Sequence, residues 1–282
     1  MATLTGLTIY PIKSCGGVEL AEATVTASGL KSGEIRDRQW MLVDLDGQFL
    51  TQRELPTMAL VQPRLNGNEV NLYFPGRALF RLPSLKGSSL RQAMHVRVWD
   101  DALNAIDAGP AAAGWFSDVL GTPCRLVEFD PESTRLANKR WTDEVNVPTL
   151  FSDGFPMLLV GQQSLNDLNT RLLNAGRCSL PMNRFRPNLV VDGIDAFEED
   201  YLGSLQLGTA VLKPVKPCPR CPIPSIDQET GTFGPDPLDI LRTYRANPRV
   251  NGAVSFGMNL ILAQGEEQTI RIGQEFETEL SF

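Results

Sequence analysis

The sequence predicts an α+β, mainly β fold of barrel type. Short apolar runs punctuated by turn residues recur along the chain, helical periodicity is scarce, and strands and helices show no regular βαβ alternation. Residues 39–51 read as a hairpin with Asp46-Gly47 at the turn, where positive φ is required. A second hairpin is expected around Asn66-Gly67, and runs 69–74, 96–99 and 125–129 continue the β pattern. Helices are expected over 111–120, 164–175 and 237–244. In the second, Ser164 and Asp167 resemble a capping box, while Leu165, Leu168 and Leu172 share a face. The third opens on Pro237, which a first helical turn tolerates. The polar stretch 130–148, with Arg135, Lys139 and Arg140, reads as a solvated loop between two β-rich halves. Domains are accordingly expected at 1–125 and 126–282.

Composition narrows the setting. A chain of 282 residues with 42% apolar content can bury a sizeable core. A net charge of -7 and a pI near 4.9 argue against nucleic acid as a partner. Residues 1–10 lack a signal-peptide pattern and no apolar run is long enough to span a bilayer, so a cytoplasmic protein with no membrane partner is expected, as a monomer. Five scattered cysteines suit a reducing compartment.

The segment from Lys216 through Cys218 and Cys221 to Pro224 carries the strongest chemical signal. Pro219, Pro222 and Pro224 remove backbone donors, so the segment is expected to be neither a central strand nor a helix interior. Lys216 and Arg220 favour thiolate over thiol. A structural zinc site would need four ligands, yet only Cys15, Cys124, Cys178 and His95 remain to help. A dithiol redox pair would need a helix opening at the motif, and residues 225–227 have no helical periodicity. Better suited is a mononuclear site to which the protein gives one thiolate and a cofactor gives the rest.

Other polar residues gather in sequence around that idea. Lys13-Ser14-Cys15-Gly16-Gly17 follows the first strand with donors suited to an oxyanion. Arg36 and Arg38 precede one strand, and Arg184 and Arg186 precede another; arginine is the side chain best shaped for phosphate or carboxylate. Each arginine taken alone reads equally well as a surface ion pair.

Taken in order, residues 9–15, Gly29-Leu30 leading to Arg36-Asp37-Arg38, the Phe185-Arg186-Pro187-Asn188 core, and Arg220-Cys221 ahead of Asp227 and Thr230-Gly231 resemble the molybdenum-cofactor sulfurase C-terminal (MOSC) family. The branch they resemble is that of the mitochondrial amidoxime reducing component and its bacterial relatives. The resemblance implies an N-terminal MOSC β-barrel domain followed by the MOSC domain, with a pterin molybdenum cofactor (Mo-molybdopterin) between them. It implies Cys221 as the protein's ligand to molybdenum, with Lys13, Ser14, Arg38, Arg186, Asn188 and Arg220 holding the pyranopterin and its phosphate. Ser152, Asp153, Gly154 and Phe155 would line the metal face, Asp153 offering a carboxylate to substrate or a proton relay; as a bare sequence feature, Asp153 is also an ordinary turn residue. Animal members carry hydroxyl residues where this chain has Gly154 and Phe155, so substrate preference is expected to differ.

The implied activity is two-electron reduction of N-hydroxylated compounds (amidoximes, hydroxylamines, N-hydroxylated bases) by oxygen-atom transfer to molybdenum. The cofactor would carry the difficult step. No ferredoxin-type cysteine spacing and no strand-linked Gly-x-Gly-x-x-Gly fingerprint is present, so electrons are expected from a separate flavin, haem or iron–sulfur protein. The same pocket would equally serve a molybdenum cofactor carrier or sulfur-transfer protein without turnover of its own.

Overall fold

Leu4, Leu7 and Ile9 are fully buried on the opening strand, Thr3–Ile9, and that strand does not stay with its own half of the chain. The computed structural model, which describes residues 2–83 and 92–280, pairs it antiparallel with Leu189–Asp192. It thereby joins a nine-stranded sheet built otherwise from later residues. The order is Val18–Glu19, Thr3–Ile9, Leu189–Asp192, Met157–Gly161, Ala253–Gln264, Ala210–Pro219, Leu202–Leu207 and Glu277–Leu280, with Ala246–Asn247 paired to Ala253–Gln264 off this path. Met157–Gly161 and Leu189–Asp192 run parallel, bridged by the helix Gln162–Asn174. Met157–Gly161 is buried at every position, as a central strand covered on both faces requires.

Smaller sheets complete the described residues. Gln92–Val98, Asp101–Asp107, Arg125–Phe129 and Trp40–Val43 form one, Gln62–Asn66, Glu69–Tyr73 and Phe80–Arg81 another. In the third, Thr269–Arg271 from near the chain's end pairs with Glu22–Thr26, followed by Gly29–Ser32 and Ile35–Arg36. Each half of the chain thus lends a strand to the other's sheet. The architecture is α+β and mainly β, with α-helices at Pro110–Leu120, Gln162–Asn174 and Leu238–Arg242.

Both hairpins form: Gly47 and Gly67 sit at the turns with φ of 81° and 59°. Several expectations need correcting. The second helix begins at Gln162, so Ser164 is not its cap; its Oγ donates to Glu199 Oε2 (2.7 Å) and accepts from Phe197 N (2.8 Å), tying the helix to a distant loop. The third helix is only Leu238–Arg242, with Pro237 just ahead of it. Strand Ala210–Pro219 continues through Lys216 and Cys218, but past Leu212 it is paired on one side only, in keeping with the expectation that this segment is neither a central strand nor a helix interior. The prolines are tolerated because pairing to Leu202–Leu207 has ended by Leu212, leaving one neighbour, and the register slips at Pro214/Lys216 and at Pro217/Pro219. Stretch 130–148 is not merely solvated: Arg135, Ala137 and Val147 are buried, and Leu136 bridges to Pro148.

Candidate active site

Where strand Thr3–Ile9 ends, Tyr10 N donates to Asp37 Oδ1 (2.8 Å), Arg38 N to Tyr10 O (2.7 Å) and Lys13 N to Trp40 O (2.8 Å). These bonds stitch segment 10–14 to segment 37–40. Asn188, at the start of strand Leu189–Asp192, fastens the third side. Its Nδ2 donates to Thr8 O and to Asp37 Oδ1, each at 3.0 Å, and its Oδ1 accepts from Leu158 N (3.1 Å) and Arg38 Nη1 (3.2 Å). Both hydrogens and both lone pairs of the amide are therefore used inside the protein. Asn188 borders the cavity as a keystone.

That cavity collects the site residues that the family resemblance implied: Lys13, Ser14, Arg38, Asp153, Gly154, Phe155, Arg186, Asn188, Arg220 and Cys221 all line it. Of the two arginine pairs, only the second member of each arrives. Arg36 reaches Ser28 on the surface, and Arg184 pairs with Asp227 at 2.7 Å. Arg38 and Arg186 turn inward from left-handed backbone, with φ of 50° and 54°, and Ser14 does the same at 66°. Non-glycine residues in that region are strained, and such strain concentrates at functional sites.

Arg38 and Arg186 both lie against the buried Tyr10 ring, with guanidinium carbons 4.3 and 4.2 Å from its centre. Asp37 accepts from Arg38 Nη1 at 2.5 Å and balances one charge. Arg186 has no such partner among the described residues; at 7% exposure its side chain makes only a long hydrogen bond, 3.5 Å to Gln228 Oε1. Burial pushes its guanidinium down to about 10. Arg220 donates from Nη2 to Phe185 O (2.8 Å) and from Nη1 to Cys218 Sγ (3.2 Å), while its Nε is buried without a partner. Two cations without carboxylates facing one cavity, inside a chain of net charge -7, call for an anion from outside.

The thiols differ. Cys218 Sγ accepts from Arg220, and burial pushes its pKa up despite that charge. Cys221 lies half-buried at the wall beyond the strand's end. Opposite, Lys13 Nζ donates to Phe151 O (2.9 Å) and forms a close ion pair with Asp153. Burial lowers the Lys13 pKa, although Asp153 opposes this. For Asp153, burial resists ionisation, but the charge and hydrogen bond of Lys13 and the charges of Arg53 and Arg38 outweigh it and hold the carboxyl well below its usual range. A Cβ on Gly154 would meet nothing within 4 Å, so packing does not demand glycine there.

Three contributors escaped the sequence reading. Asp37 orients Arg38 and Asn188, and its only signal was an acid between two arginines. Arg135, assigned to a solvated loop, donates to the carbonyls of Leu150 (3.0 Å), Ser152 and Asp153 (3.0 Å), so it shapes the loop presenting Asp153. Trp99 Nε1 donates to Asp153 Oδ1 at 3.3 Å, from a backbone φ of 54°.

Residues 1–123 match the MOSC N-terminal beta barrel domain and residues 146–277 match the MOSC domain. The chain belongs to the MOSC family. Within it, this MOSC protein is similar to human mitochondrial amidoxime reducing component 2, 36% identical over 249 residues covering 87% of this chain and 73% of that one. The rat component 2 is 38% identical over 251 residues, with the same two coverages, 87% and 73%. Human mitochondrial amidoxime-reducing component 1 is 33% identical over 249 residues, covering 87% and 72%.

Proposed function

We propose that this MOSC protein is a molybdenum-cofactor-dependent reductase of N-hydroxylated compounds. The observation that carries the reading is the unbalanced pair of buried Arg186 and half-buried Arg220 at one cavity with Cys221 on its wall. That donor set fits a phosphate-bearing cofactor whose metal takes one protein thiolate: guanidinium groups match phosphate, and thiolate matches a soft metal. The relatives named as amidoxime reducing components support the same substrate class.

Arg38, Arg186 and Arg220 would hold the phosphate and pterin, Asp37 and Asn188 would fix Arg38, and Cys221 would ligate molybdenum. When bound, the cofactor supplies the two-electron, oxygen-accepting chemistry. Around it the chain's part is orientation and proton supply. Asp153, ionised at any ordinary pH, accepts hydrogen bonds from Lys13, Trp99 and an N–OH or N–H donor on the substrate. The proton that leaves with the hydroxyl oxygen is held at Lys13 Nζ, because burial weakens that ammonium's grip on it.

Protein made in a cofactor-competent host is expected to contain about one molybdenum per chain, as one cavity with Cys221 as its soft sulfur ligand would hold. It is expected to reduce benzamidoxime with reduced viologen and to stay inactive with NADH alone. Molybdenum without viologen-driven turnover would instead support a cofactor carrier, and zinc in its place would overturn both.

A further inference from the structure

Trp141 is ringed by cations. Lys216 Nζ and the Arg140 guanidinium carbon lie 5.6 Å from its ring centre, and that of Arg249 lies 5.7 Å away. None of the three makes an ion pair among the described residues; Arg249 gives only a hydrogen bond to Val215 O at 3.1 Å. The nearby acids are few: Asp143 is paired with Lys213 at 2.6 Å, Glu144 stands in the same exposed turn, and Asp200, within reach of the Arg249 charge, is already paired with Arg245 at 2.5 Å. Gathering unpaired cations costs self-repulsion, and here it happens on a chain of net charge -7. Arg140 and Arg249 are exposed, so burial of an aliphatic stem does not explain them. The turn also presents apolar surface, with Val145 57% and Leu136 40% exposed. An apolar centre within a charged rim is the anatomy of a protein docking surface.

The patch sits against the candidate site. Trp141 packs into the cluster of Phe155, Val215 and Ile261, and Lys216 Nζ stands 5.7 Å from the Phe155 ring centre. Phe155 in turn lines the cavity with Asp153 and Cys221. One aromatic side chain therefore separates the basic surface from the chemistry.

We propose that this Trp141-centred patch docks a small acidic electron-carrier protein and delivers its electrons beside Phe155. The proposal rests on the reductase reading: each N–OH takes up two electrons and two protons to give N–H and water, and two carrier molecules are each oxidised by one electron. Charge complementarity makes such an encounter fast and salt-sensitive, and electron-transfer contacts are characteristically small. The acidic bulk of the surface would repel an acidic carrier everywhere else, which orients it.

The probe is a reduced, acidic plant-type [2Fe–2S] ferredoxin at concentrations below saturation. The double variant Arg140→Glu, Arg249→Glu is expected to lose about tenfold or more in ferredoxin-driven turnover. Its turnover with reduced viologen, which needs no docking surface, is expected to be unchanged, and the wild-type ferredoxin rate is expected to fall with added salt. Equal ferredoxin rates in variant and wild type would overturn the proposal, as would a wild type driven by viologen but not by ferredoxin. Binding to phosphatidylserine vesicles that the variant loses, with no response to ferredoxin, would reassign the patch to a lipid surface. If wild type does not turn over even with viologen, the reductase reading fails on its own. Calorimetric titration of ferredoxin onto the purified protein then decides the patch separately, by whether the charge reversals weaken binding.

Discussion

Asp37 and Asn188, separated by 151 positions, are joined by a 3.0 Å hydrogen bond from Nδ2 to Oδ1. Through it, the two halves of the chain jointly aim Arg38. In Asp37→Asn the carboxylate oxygen facing Arg38 is replaced by an amide or lost to a flip, leaving at least one buried donor without an acceptor. That costs about 1–3 kcal/mol. Denaturant unfolding should register a loss of that size, and metal analysis should show lower molybdenum content. Wild-type values in both would remove Asp37 from this role.

The lysine substitutions Arg38→Lys and Arg186→Lys keep the charge and lose the planar fork. The Arg186 guanidinium carbon lies 4.2 Å from the Tyr10 ring centre with no carboxylate to hold it among the described residues, so its fork is free for a ligand. Each variant is expected to elute as a folded protein on gel filtration with reduced cofactor content. Full occupancy in both would contradict the assignment.

The two thiols should separate cleanly. Cys218 is engaged by Arg220 at 3.2 Å and its thiol is disfavoured from ionising by burial. Cys221→Ser should therefore lose molybdenum and activity, because a soft metal prefers thiolate to hydroxyl. Cys218→Ser should keep most of both; the reverse pattern would exchange their roles.

Legibility followed the range of the interactions. The Gly47 and Gly67 turns, the amphipathic helix with Leu165, Leu168 and Leu172, and the proline-framed cysteines are written in neighbouring residues, and all appear in place. The exchange of strands Thr3–Ile9 and Thr269–Arg271 between sheets is not, since nothing local tells a strand which sheet it will join. Arg135 fails for the same reason: its polar neighbours resemble a solvated loop, and its partners Leu150 and Ser152 are supplied only by folding. Asn188 was found through a family pattern, but its saturation by Thr8, Asp37, Leu158 and Arg38 is visible only in three dimensions.

Trp99 packs beside Asp153. It lies 4.9 Å from Phe49 and 4.6 Å from the Arg53 guanidinium, 40% exposed, with its Nε1 on Asp153. Trp99→Leu should raise KM for benzamidoxime more than for a small aliphatic hydroxylamine, because an exposed aromatic contact is worth about 0.5–1.5 kcal/mol beyond its area. Steady-state kinetics with both substrates test this; an equal rise for the two would make Trp99 a general support of Asp153.

The Lys13–Asp153 pair makes pH the sharpest probe. The Asp153 carboxyl is held below its ordinary value of 3.8, with burial opposed and outweighed by Lys13, Arg53 and Arg38. A carboxyl lowered in the folded state adds stability that is complete above its unfolded pKa and disappears as pH falls through its folded pKa. Its side chain is 62% exposed, so solvent screening limits the gain to about 0.2–1 kcal/mol. Asp153→Asn should thus be slightly less stable than wild type at neutral pH, and the difference should close as pH falls well below the ordinary carboxyl range. The Lys13 effect has the opposite sense. Burial lowers the Lys13 pKa and Asp153 resists that, so removing the carboxylate lets it fall further. If Lys13 Nζ supplies the proton, the alkaline limb of the pH–rate profile in Asp153→Asn should move to lower pH. A limb that stays fixed or moves upward would show that the proton comes from another group.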